Sequence, residues 1–165
     1  MKSTFYFSIM NKEVQSITKN LQNVLDGSPW FGRPIYSILH EIHPVMVYTK
    51  PGGNSHSLIE LLYHIITWAE FTVKRLEKDD EKDMQAFEQM DWRLIDPHIH
   101  TWSNALDQFK TAHDRILELL ANKEDDFLKD KVDYRDYNFR FLLNGLIQHD
   151  IYHLAQIAYV KKLLS

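Results

Sequence analysis

A chain of 165 residues, 44% hydrophobic and 25% charged, is long enough to bury one continuous core and too ordinary in composition for a disordered or fibrous class. Its net charge of -4 argues against a nucleic-acid footprint, which needs Lys and Arg clustered on one face. With no cysteine, disulfides, thiolate metal ligands and cysteine nucleophiles are excluded, and a reducing, cytoplasmic setting is expected.

The first ten residues carry too short an apolar run for a signal segment before Asn11-Lys12-Glu13 interrupts it. Ile9, Met10, Val14, Ile17, Leu21, Val24 and Leu25 recur at steps of mostly three and four, predicting a first amphipathic helix that Asp26-Gly27-Ser28-Pro29 ends. A turn with Trp30 and Phe31 follows, and Pro34 opens a short helix through Ile35, Ile38, Leu39 and Ile42. Ser57-Leu58-Ile59-Glu60 is a capping box, so the second long helix runs from Leu58 to about Lys78, with Leu61, Ile65, Trp68 and Phe71 on its apolar stripe. The charged run Glu77 to Asp83 reads as a solvated helix end and linker.

Asp96-Pro97 is the expected N-cap and first turn of a third long helix, carried by Leu106, Phe109, Ile116, Leu117 and Leu120 to about Ala121. A fourth runs from Phe139 to Leu164 on Leu142, Leu146, Ile157, Val160 and Leu164. Four long helices without β-type alternation predict an all-α four-helix bundle forming a single domain over residues 1–165. No stretch of about 18 apolar residues is present, so no membrane-spanning helix and no membrane partner are expected.

Among nine histidines, His149 and His153 stand one helical turn apart, which brings their Cβ atoms to about 5 to 6 Å. Both rings can then reach one ion at metal–nitrogen distances of about 2.0 to 2.1 Å. Chance alone yields roughly half of one such pair at this histidine content, so placement decides. Leu142, Leu146, His149, His153, Gln156 and Val160 step by three and four, placing both rings on or beside the core face. His64 lies between Leu61 and Trp68 on the apolar face of the second long helix, so a third imidazole can join if the two helices are neighbours.

The other six histidines have ordinary explanations. His98 and His100 diverge near a helix start, His56 precedes a cap, and His113 has no histidine at helical spacing. His40 and His43 share a helical face and form a fallback ligand pair. Gln156 can orient a ligand or a bound water, Asp150 points to another face as a surface or inter-helix charge, and Glu60 is explained by its capping box, with a role as ring acceptor or general base the alternative. Trp30, Phe31 and Trp68 can wall a pocket or simply belong to the core.

Pro29-Trp30-Phe31-Gly32, Glu60-Leu61-Leu62-Tyr63-His64-Ile65 and His149-Asp150-Ile151-Tyr152-His153-Leu154-Ala155-Gln156-Ile157 together resemble the DinB/YfiT-like superfamily across essentially the whole chain. The resemblance implies an up-down-down-up bundle with one divalent metal, nickel or zinc, on His64, His149 and His153. Relatives transfer low-molecular-weight thiols such as bacillithiol or mycothiol, isomerise maleylpyruvate with mycothiol, or have been described as metal-dependent hydrolases. The resemblance thus implies a metal-dependent thiol transferase or hydrolase acting on a small molecule, with a low-molecular-weight thiol as cofactor; the position of Gln156 on the helix face suits an orienting group, and a homodimer is allowed. A non-catalytic, metal-stabilised binding or interaction module is the alternative.

Overall fold

The computed structural model describes residues 12–78 and 84–165, and over them the chain is all-α, without a β-strand. Ile9 and Met10, expected on the first helix, and residues 79–83 of the charged run lie outside the described residues. Helix α1 (Lys12–Asp26) buries Val14, Ile17, Leu21, Val24 and Leu25, the predicted stripe. Its free backbone N–H groups at Glu13 and Val14 donate to the Asp125 carboxylate at 2.9 to 3.1 Å. That cap comes from far along the chain, from a 3-10 turn at Asp125–Lys129.

Helix α2 (Ile35–His40) starts after Pro34 as expected but stops before Ile42. His43 is instead the N-cap of a 3-10 turn at Pro44–Met46, where its Nδ1 accepts from Val45 N at 3.3 Å. His40 and His43 therefore share no helical face and do not form the alternative ligand pair. The proline after His43 forbids continuing the helix through it.

Helix α3 (Leu58–Glu77) opens on the predicted capping box, with Ser57 Oγ accepting from Glu60 N and the Glu60 carboxylate accepting from Ser57 N. It is the most deeply embedded helix, and Lys78 closes it in the left-handed region. Because Ser57 is buried, Ser57→Ala is expected to cost about 1 kcal/mol, read as a lower urea midpoint with an unchanged slope.

Helix α4 (Met84–Asp91) has no counterpart in the sequence reading. Its polar surface and the charged run before it hide a single strong anchor, Phe87, which packs edge-on to Phe71 with ring centroids 5.4 Å apart. Helix α5 (Trp102–Leu120) begins a turn and a half later than expected. Asp96 closes a local turn instead, its side chain accepting from His98 N and its carbonyl from His100 N. Thr101 is the cap that places Trp102 in the core. Helix α6 (Phe139–Leu164) has the predicted bounds and is capped by Asn138.

Helix α3 packs against α5, α6 and α4, while α1 packs against α2, α6 and α5. One continuous apolar cluster joins them. Among the described residues no helix is long and apolar enough to cross a membrane.

Candidate metal centre

The α3–α6 contact brings together the three histidines singled out in the sequence. His64 Nε2 lies 2.9 Å from His153 Nε2 and 2.9 Å from His149 Nε2. Among the described residues they are the one set of three or more potential ligands whose donor atoms fall within 4.8 Å of each other. His64 and His153 are buried, and His149 is half-buried.

The outer nitrogens are braced. Asp91 Oδ1, at the end of α4, sits 2.6 Å from His64 Nδ1, an ion-pair contact whose angle falls short of a hydrogen bond. Trp68 Nε1 donates to the same oxygen at 2.7 Å. His153 Nδ1–H donates to Gln156 Oε1 at 2.7 Å, so Gln156 orients a ring, one step outside the position expected for it. His149 Nδ1 is buried without a partner.

The bond to Gln156 assigns the His153 proton to Nδ1, and the carboxylate beside His64 Nδ1 favours the same tautomer there. With Nδ1–H facing Asp91 on His64 and Gln156 on His153, both Nε2 atoms present bare lone pairs to each other at 2.9 Å. Two lone pairs at that distance repel unless a cation lies between them. A shared proton is opposed by the surroundings. Burial holds His149 down at about 3, with the charges of His153 and His64 adding to it. It also lowers His64 against the pull of Asp91, and His153 against its bond to Gln156. Neutral, desolvated imidazoles converging on one point fit a divalent metal ion of the nitrogen-loving class.

Trp92 closes one side. Its ring stacks on His64 at 4.1 Å and 11°, and on His56 at 3.8 Å and 16°. Neither Asp91 nor Trp92 was legible in the sequence. A partial signal existed in Trp68, one turn after His64 on the same helix, since two N–H donors on one face call for a common acceptor.

Several expectations need correction. Trp30 is 100% exposed and Phe31 45% exposed, so neither belongs to the core or walls this site. Glu60 is held by its cap and by Lys50 at 2.9 Å, which leaves Asp91 as the acid beside His64. Asp150 is fully buried, the inter-helix arm of its two readings, and is paired 3.0 Å from His113 Nε2. His113 is fully buried too, its Nδ1 bound to Phe109 O at 2.8 Å. His100 does not diverge on the surface with His98 but packs edge-on to Tyr63 at 4.8 Å.

Asp91→Asn removes the charge behind His64 while keeping the shape. Metal affinity is expected to fall about 10- to 100-fold, measured by competition with a chromogenic chelator. Unchanged affinity would mean that the 2.6 Å contact contributes nothing to the ring.

A sequence model described as the DinB superfamily matches residues 37–157, a span that includes all three histidines, Asp91 and Gln156. No curated protein matches the chain.

Proposed function

The chain belongs to the DinB superfamily, and from that premise we propose that it is a metal-dependent enzyme built on an up-down-down-up four-helix bundle. One divalent ion, nickel or zinc, is held by His64, His149 and His153, and the substrate is a small molecule. The observation that carries this reading is the meeting of three Nε2 atoms, two of them with Nδ1 braced by Asp91 and Gln156.

When bound, such an ion supplies Lewis acidity that makes a thiol or a water molecule nucleophilic near neutral pH. Three neutral imidazoles leave the ion's full charge available for that purpose. The absence of cysteine from the chain means that a thiol nucleophile has to arrive as a low-molecular-weight compound. Asp91 and Gln156 keep the rings of His64 and His153 in the ligating tautomer and orientation. Trp92 covers one face of His64 and excludes water from that side.

The test starts with plasma mass spectrometry of untagged protein, which is expected to contain close to one ion per chain. Metal-loaded and chelated protein are then compared with bacillithiol, mycothiol, glutathione and cysteine against electrophiles, and with simple esters and amides. Turnover that disappears on chelation supports the reading. Bound metal without any turnover would turn it toward a non-catalytic, metal-stabilised module, and activity that survives chelation would place the chemistry elsewhere.

A further inference from the structure

The wall of the imidazole cluster continues into a cleft between α3 and α6. Trp68, Phe71, Phe141, Leu142 and Leu146 line it together with His149, and it is open to solvent, with a volume of about 180 Å³. Two of the polar groups in its wall are already engaged, Trp68 Nε1 with Asp91 and Thr72 Oγ1 with Trp68 O at 2.9 Å. What remains is a mainly apolar slot whose other polar wall groups are an imidazole and the side chain of Tyr137.

Gly145 also borders this slot, inside α6. A glycine within a helix costs stability relative to alanine. Nothing in the backbone requires it here, because Gly145 is not among the positive-φ residues. A Cβ built at this position would meet nothing within 4 Å. The missing side chain therefore relieves no clash, and its consequence is open space beside Leu142, Leu146 and His149.

We propose that this cleft is a binding site for an apolar group about the size of a benzene ring, carried by the molecule that reacts at the imidazole cluster. The volume decides the class: a cavity of about 150 Å³ with aliphatic and aromatic walls holds benzene, whereas a sugar or a charged headgroup would lose its hydrogen bonds there. Trp68 and the exposed Phe141 supply aromatic surface in the walls for stacking or edge contact. The second half of the proposal rests on the proposed function, since it takes the imidazoles as the reacting centre.

Toluene and indole are the probes, titrated into full-length protein with ligand-observed NMR and tryptophan fluorescence, in metal-loaded and chelated forms. Saturable binding is expected in both forms, because no wall of the cleft is made by the ion. Gly145→Leu fills the slot and is expected to weaken toluene at least about tenfold, with metal content unchanged. Gly145→Ala, which keeps the helix under any circumstance, is expected to bind with an intermediate loss. Absence of saturable binding to the parent protein, or undiminished binding in both variants, overturns the proposal even if the enzyme is active. If the protein instead holds no metal while toluene still binds and is displaced by Gly145→Leu, the apolar site stands and the proposed function alone fails.

Discussion

His153→Ala is expected to lose its metal while remaining helical. The ring it removes is one of three donors, and its Nε2 stands 2.9 Å from that of His64. Loss of a direct ligand should exceed the roughly 10- to 100-fold penalty of losing an outer partner, so the purified variant should contain metal only at background level. Folding does not depend on that ion, because the apolar cluster spans all the long helices and a chain of this size buries enough surface without it. Circular dichroism should be that of the parent, with a lower melting temperature only under conditions where the parent holds metal. His98→Ala, at an exposed turn, is the matched control and should retain full metal content. Equal loss in both variants would refute the ligand assignment.

The second large effect lies beside the histidines on α6. His113 and Asp150 are both fully buried, paired at 3.0 Å, and His113 uses its other nitrogen on Phe109 O at 2.8 Å. A ring facing two acceptors carries two protons. Burial works against that charge, but the Asp150 carboxylate and the Phe109 carbonyl outweigh it and raise the imidazole above its ordinary range. Removing one partner strands the other, so His113→Ala is expected to cost about 3 to 5 kcal/mol, or about 10 °C in melting temperature for a domain of this size. Replacing both partners with His113→Leu and Asp150→Leu should recover much of that loss, because no charge is then left unpaired.

The sign of the pH dependence follows from the direction of the shift. His113 holds its proton more tightly folded than unfolded, so its contribution is complete below the ordinary imidazole range. It is lost as pH rises through the raised folded value. Urea midpoints measured on chelated protein should therefore fall across that window in the parent, and this component should vanish in the double leucine variant. A parent whose stability is flat or rises there would mean that His113 is neutral in the fold.

This pair also bears on the candidate metal centre. Asp150 directly follows His149, about 100° further around α6, and its anchor on α5 sets the rotation at which His149 and His153 face α3. The sequence exposed half of that arrangement. The step from Leu142 through Leu146, His149 and His153 to Val160 identifies a face, because neighbours three and four residues apart on a helix share one side whatever surrounds them. Other local rules located the capping box at Ser57, the stripe of α1 and the bounds of α6.

Contacts between elements follow no such rule, and there the sequence was silent or misleading. Asp91 reaches His64 because α4 folds back along α3, and no spacing along the chain announces that. Trp30 and Phe31 have the composition of a pocket wall yet stand in solvent. Asp96-Pro97 has the chemistry of a helix start, but Thr101 is the cap that buries Trp102 and so wins the position. His113 and Asp150 look unrelated, each in the middle of a different helix, and only the tertiary structure brings them to 3.0 Å. Periodicity, capping and composition are properties of a few consecutive residues, so the sequence by itself determined the four long helices and which of their faces are apolar, but not the short helix Met84–Asp91. The rotation and neighbours of each helix are set by the joint packing of all of them, so only the tertiary structure decided which polar groups meet.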